Sequence, residues 1–347
     1  MSRQHVWPLL LFLILLVISV VLNTGIGSVY IPGGQITRIL LHHIPGMQRW
    51  ITPDWSEAAE QIMLNIRLPR VMLALLVGAA LGLAGAAFQG VLRNPLADPF
   101  TLGVSSGSSV GAAVLIFTGY QYSLFGGWTL PLIAFVSGAI TLYIVLALAR
   151  EQGRIPTGSL ILSGVVMQSF LGAIVSFLAS MSEGSVNEII FWTMGSLSLR
   201  GWPYVLAMLP YVVIGIVLLW SQARAMNVLS LGEREAAHLG VHVDRTKTVV
   251  LIIATLITAA AVSVSGVVAF VGLVVPHMIR LLLGPDYRLL IPLSAIGGGI
   301  FLMWADTAAR TVLAPTEIPL GVVTAFVGAP FFAYLLHRSK KKQPDMM

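Results

Sequence analysis

The sequence predicts an all-α polytopic membrane protein with about ten transmembrane helices, and three observations carry that prediction. Long apolar runs alternate with short polar joints from Trp7 to His337. Hydrophobic residues make up 57% of the chain and charged residues only 10%, whereas a soluble domain needs about 25% charge to cover its surface. No segment shows the alternation over about ten residues that an outer-membrane barrel strand requires. A mean hydropathy of +0.90, 34 glycines and 18 prolines suit a membrane bundle, where close backbone approach and kinks are tolerated.

A helix rises about 1.5 Å per residue and the hydrocarbon core is about 30 Å thick, so about 20 apolar residues cross it. The runs fall at about 7–23, 69–89, 102–119, 128–148, 158–180, 203–221, 247–266, 268–283, 288–308 and 319–337. The first follows Met-Ser-Arg-Gln-His and has no small-residue cleavage site after it, which reads as a retained helix rather than a signal peptide. An outer joint at about 24–66 precedes the second. It holds Trp50, Trp55 and a stretch Ser56–Met63 that reads as a short interfacial helix capped by Ser56. Pro69 suits the first turn of the second run. Gly103, Ser105, Ser106, Gly107, Ser108 and Ser109 open the third run, and small residues of this kind permit tight helix contact. A second outer joint, about 181–202, has room for a short helix, and the longest inner joint spans about 222–246. The chain reads as a single membrane domain over 1–347.

Charge position sets the orientation. With the N-terminus in the cytoplasm and ten crossings, the C-terminus returns there, and all four lysines and most arginines fall inside. Arg38, Arg49, Arg67, Arg70, Arg200 and Arg310 fall outside. The net charge of +6 is spread over loops, which argues against a nucleic-acid partner. The basic tail Arg338–Lys342 reads as an anchor at the anionic lipid of the inner leaflet.

Enzyme chemistry finds no foothold. Cysteine is absent, so there is no disulfide, thiolate metal site or cysteine nucleophile. No Gly-x-x-x-x-Gly-Lys-Ser/Thr loop and no His-Glu-x-x-His occurs. Proton-coupled carriers place ionisable groups at mid-membrane depth; here the acids sit at joints and helix ends, with Asp306 the nearest exception, one turn before Arg310. That spacing reads as an i,i+4 pair. His277, in Val275-Pro276-His277, reads as satisfying a neighbouring carbonyl. An active transporter of this composition would draw its energy from a partner.

Several strings then resemble one family. They are Arg67-Leu68-Pro69-Arg70 leading to Gly78-Ala79-Ala80-Leu81-Gly82-Leu83-Ala84-Gly85, Asn94-Pro95-Leu96-Ala97-Asp98-Pro99, and Leu231-Gly232-Glu233 with Ala236 and Leu239-Gly240. Phe270-Val271-Gly272 through Pro276-His277, Asp306 with Arg310, Pro319-Leu320-Gly321 and Gly328-Ala329-Pro330 complete the set. In order and spacing, over about 8–337, the chain resembles the FecCD-type permeases of binding-protein-dependent ABC importers for iron–siderophores, haem and vitamin B12. The resemblance implies a permease paired with a second copy or a paralogue, two cytoplasmic ATPase subunits that use ATP and magnesium, an outer binding protein that delivers the cargo, and no cofactor held by this chain.

It also implies roles for particular residues. Leu231, Gly232, Glu233, Ala236, Leu239 and Gly240 match the loop that docks on the ATPase, and their pattern suits a short amphipathic helix stopped by Gly240. Arg67, Arg70 and Arg310 match arginines that meet acidic residues of the binding protein; headgroup anchoring is the alternative. Asn94, Leu96 and Thr157 match joints that close the cytoplasmic exit, although Asn-Pro also starts a turn for ordinary backbone reasons. An iron–siderophore complex is the expected cargo, with vitamin B12 and haem as alternatives.

Overall fold

The computed structural model describes residues 3–27, 32–43, 46–182 and 184–341. Lys342 of the basic tail lies outside these residues, and so do the side chains at 335–341. Every regular element among the described residues is helical, apart from an isolated bridge between Glu151 and Arg154. The first crossing is α1 (Arg3–Gly25). The outer joint is more structured than expected. It holds α2 (Gly33–His42), whose Ile36 and Ile39 bury against Trp55 and Met63, and α3 (Glu57–Ile62). Ser56 caps α3 as expected, its hydroxyl accepting from Ala59 N at 3.2 Å. The joint then ends early. From α3 the chain passes through one π turn, Met63–Arg67, straight into α4 (Leu68–Val91).

α4 is the axle of the molecule. In chain order there follow α5 (Val104–Thr118), α6 (Thr129–Leu148), α7 (Thr157–Met181), α8 (Val186–Met194) and α9 (Trp202–Ser221), of which α9 packs directly on α4. The inner joint folds into α10 (Ala223–Leu229) and α11 (Glu233–His238). There follow α12 (Val243–Ser265), α13 (Val271–Leu283), α14 (Tyr287–Thr311) and α15 (Leu320–Lys341). Among the described residues seven helices are long and apolar enough to cross a membrane, and α5 and α13 are apolar but shorter. The short helix expected between 181 and 202 is α8.

Burial sorts these helices into two shells. In the most apolar stretch of α4 89% of residues are buried, and α12 and α14 follow at 72% and 67%; α1, α6, α7 and α9 reach only 22–33%. The outer helices therefore present apolar faces that lipid would cover, and the inner three make the core. Close approach depends on missing side chains: a Cβ on Gly78 or on Gly298 would overlap the carbonyl of the other. The small residues of α5 do the same against α6, with Gly107 beside Thr141 and Gly138 beside Ser108.

Two runs expected to be full helices are not. Run 102–119 begins with a 3-10 turn, Pro99–Leu102, ended by Gly103 at φ 74°, and only then becomes α5. Run 268–283 begins non-helical and passes through Phe270 at φ 70° before α13 starts. Gly272 meets Leu81 and Gly85, midway along α4, so α13 begins deep in the bundle. Non-helical backbone at that depth must be satisfied by protein. Ser196 N donates to Ser265 O at 2.8 Å, and Leu320 N to Gly195 O at 3.0 Å.

Pro276 lacks the N–H that Gly272 O would accept one turn on, and Gln89 supplies the donor instead. Its Nε2 reaches Gly272 O at 3.2 Å and Leu273 O at 3.0 Å. Arg280 in turn donates to Gln89 Oε1 at 3.0 Å. His277 departs from expectation: its Nδ1 has no hydrogen-bond partner, and the ring lies tilted against Phe332.

Candidate functional site

The three outer arginines converge on one patch. Arg67 closes the π turn, is 5% exposed and donates to Gly25 O at 3.1 Å and Thr24 O at 3.4 Å, carbonyls at the end of α1. These are orphan acceptors of a helix C-terminus, where a cation is favoured. Arg70, in the first turn of α4, clamps two carboxylates. Its Nε and Nη2 lie 3.0–3.1 Å from Asp306, and its Nη1 and Nη2 reach Glu317 at 2.8 and 3.0 Å. Arg310 donates to Asn23 O at 2.5 Å and Thr307 Oγ1 at 3.0 Å.

The expected i,i+4 pair of Asp306 and Arg310 exists, at 3.6 Å. It is the weaker half of the arrangement, because the close partner of Asp306 is Arg70, at 3.0 Å. Asp306 is 1% exposed, so it is held almost wholly within protein. Glu317, in the turn before α15, was not singled out from sequence. Its bond to Arg70 holds its carboxyl below the usual range, helped by the Ser198 hydroxyl. Among the described residues, three guanidiniums against two carboxylates leave the patch one positive charge. The arginines are thus buried and internally paired rather than free on the surface, and Glu317 is the accessible acid at their rim, its side chain 42% exposed.

At the inner end the expected docking string forms a turn and helix. Gly232, at φ 140°, precedes α11, and Gly240, at φ 83°, closes it. Gly240 N bonds to Ala237 O at 3.0 Å and Val241 N to Ala236 O at 2.9 Å, a left-handed cap of the glycine type. The orientation differs from the expected one. Ala236 is fully buried, so it packs inward and is not on an outer apolar face. Leu231 and Leu239 are each 64% exposed, and Arg234, Glu235 and Ala237 lie exposed between them. Glu233 pairs with Lys247 of α12 at 2.5 Å.

The expected gate residues occupy two places. Asn94 ends α4: its Oδ1 accepts from Leu96 N at 2.9 Å and its N–H bonds back to Gln89 O, an ordinary Asx turn following Arg93 at φ 51°. Leu96 projects from this turn, 44% exposed. Asp98 then caps the 3-10 turn, accepting from Phe100 N at 2.8 Å, and desolvation pushes its carboxyl up to about 6. Thr157 begins α7, beside Glu233 and Lys247. Lys247 is the functional candidate that sequence reasoning used only as an inside charge; a lysine in the first turns of a core helix was its one signal.

Comparison with known proteins fits this layout. Residues 14–338 match the FecCD transport family. The permease protein YvrB of Bacillus subtilis (strain 168) is 46% identical over 94% of this chain and 92% of its own length. The cobalamin import system permease protein BtuC of Halobacterium salinarum is 47% identical, covering 81% and 74%. The Fe(3+)-citrate import system permease protein YfmE of Bacillus subtilis is 36% identical over 99% of both. Among solved structures, a chain described as a metal-chelate type ABC transporter in an inward-facing conformation superposes with a TM-score of 0.81 at 31% identity, covering 94% of this chain and 97% of that one. The multi-pass helical fold, the full-length match and the order of the motifs have one meaning: the chain belongs to the FecCD transport family, the permeases of ABC importers for iron chelates, haem or vitamin B12.

Proposed function

We propose that the chain is one of two membrane subunits that carry an iron–siderophore complex inward across the cytoplasmic membrane, with both termini on the cytoplasmic side and the energy supplied by two partner ATPases. A second reading, cobalamin as cargo, is favoured by the 47% identity of the cobalamin permease relative, above the 36% of the ferric citrate one. The observation that carries the permease role is the inner helix. Leu231 and Leu239 stand about two-thirds exposed on either side of a short helix at the end where the basic residues gather. An apolar pair presented to the cytoplasm suits a protein partner, since interface cores are built on such anchors.

The outer patch supports binding-protein docking by its residual positive charge, and Asn94, Leu96 and Thr157 at the inner ends of the bundle suit closure of the exit. Alternating access would follow from movement of α11 under the ATPase. The test is co-purification with the cognate ATPase and reconstitution with the cognate binding protein, followed by uptake of ferric siderophores, cyanocobalamin and haemin. The permease alone should hydrolyse no ATP, and the complex should hydrolyse faster with one cargo class. Hydrolysis by the isolated chain, or no association with any ATPase, counts against the assignment.

A further inference from the structure

Three elements meet at one buried ammonium. Lys247 Nζ, in the second turn of α12, lies 2.5 Å from Glu233 Oε1, the first residue of α11. It also donates to the Thr157 hydroxyl, at the start of α7, at 3.2 Å. Thr157 Oγ1 stands 3.5 Å from the same Glu233 oxygen, closing the triangle. One turn earlier on α12, Asp244 Oδ1 accepts from Ile155 N at 3.4 Å, so α12 holds the segment 155–157 at two points.

Burial makes the arrangement more than a surface ion pair. The Lys247 side chain is 3% exposed, whereas that of Glu233 is 43% exposed. A buried ammonium is tolerated only when paired and hydrogen-bonded, and a lysine stem has many rotamers to lose. A hydrophobic residue there would fill the space without that cost. The charge therefore needs a reason, and its contacts offer one: it is the point at which α11 is fastened to α7.

We propose that Lys247 is a positioning residue that locks the ATPase-facing helix α11 to the cytoplasmic end of α7, so that a displacement of α11 is delivered to Thr157. This rests on the permease reading above. A partner covering α11 would strip water from the exposed side of Glu233, and the attraction between the two charges rises as the local dielectric falls. The lock is then tightest when the ATPase is seated.

The chain has no cysteine, so one introduced thiol can report on α7. Gly158 is exposed and a Cβ there meets no atom within 4 Å, which makes Gly158→Cys a mild change. In the complex with its cognate ATPase, in lipid nanodiscs, the maleimide labelling rate is compared without nucleotide and with ATP and vanadate. We expect the rate to change about fivefold or more with Lys247 present, in the range of an ordinary coupling energy. Lys247→Met should reduce the change to less than about twofold, and Lys247→Arg, which keeps charge and donors, should restore most of it.

An undiminished nucleotide response in Lys247→Met overturns the proposal. Should that variant fail to assemble, Thr157→Val removes only the hydroxyl and carries the same test: loss of at least about half the response is expected, and full retention overturns the lock. A chain that binds no ATPase overturns the permease reading and the lock together. An ATPase-bound chain whose labelling ignores nucleotide even with Lys247 in place overturns the lock alone.

Discussion

The outer patch and the inner helix solve the problem of presenting a surface in opposite ways. Outside, charge is concentrated and then hidden: Arg70 and Asp306 are 13% and 2% exposed at the side chain, and Arg310 is 9% exposed. Inside, apolar side chains are presented openly among exposed charges: Leu231 and Leu239 are each 64% exposed, with Arg234 and Glu235 exposed between them. The contrast bears on how each face could meet a partner. A buried guanidinium already holding carboxylates can meet a new one only by exchange. An exposed leucine has nothing to give up except water, and its burial is favourable from the first contact. On the proposed reading, the outer face would be selective and the inner face permanently available.

The sharpest way to break this comparison is to remove the acid on which the outer patch is built. Asp306→Ala leaves Arg70, Arg310 and Arg67 close together, with Glu317 their remaining carboxylate among the described residues. Removing one partner of a buried pair costs about 3–5 kcal/mol. The expected result is a large fall in the thermal unfolding midpoint of the purified chain, or loss of folded protein. Leu231→Ser, on the exposed inner face, should move that midpoint little, since surface changes usually stay within about 0.5 kcal/mol. Equal losses from the two would mean that the faces are not differently built.

The next effect separates the two sides of α11. Leu239→Ser removes an exposed anchor worth about 1.5–3 kcal/mol when fully buried in an interface, hence a loss of about tenfold or more in ATPase affinity with the chain still folded. Ala236→Arg should act earlier, because it forces an unpaired charge into protein at a cost of several kcal/mol. Its signature is a destabilised chain, read in the absence of the ATPase. A stable Ala236→Arg chain that merely failed to dock would place Ala236 on the outer side of the helix.

Much of the fold was legible because hydropathy is a local signal. The apolar runs, the Ser56 cap and the short helix α8 each depend on residues a few positions apart. What escaped depends on partners far along the chain or on single backbone angles. Arg70 and Asp306 are separated by 236 positions, so sequence offered only the nearer Arg310 as a mate. The shortening of α5 and α13 turns on Gly103 and Phe270, whose left-handed φ values leave no mark in an apolar run. A six-residue helix such as α11 has too few positions to declare its period, so the sequence does not tell that Ala236 packs inward. Gln89 reads as a stray polar residue until Pro276 is seen opposite, with a carbonyl its ring has orphaned.

The smallest effect tests the exchange idea itself, and Glu317 is the place to test it. Its carboxylate covers Arg70 yet is itself 42% exposed, so Glu317→Gln removes the acid that an incoming carboxylate would displace. The stability cost should be about 0.2–1 kcal/mol, as for other partly exposed pairs. Because pairing lowers the folded carboxyl below its ordinary value of about 4.3, its contribution is complete above that value and is lost as pH falls through the lower folded value. Wild type and Glu317→Gln should therefore have parallel stability profiles between about pH 5 and 8 and converge only in acid. Removing the charge also raises the patch from one net positive charge to two. An acidic outer partner should then associate severalfold faster at about 10 mM salt, where the screening length is about 30 Å, and no faster at about 1 M, where it is about 3 Å. Slower association at low salt would make Glu317 a contact in its own right, and the arginines beneath it would keep only their structural role.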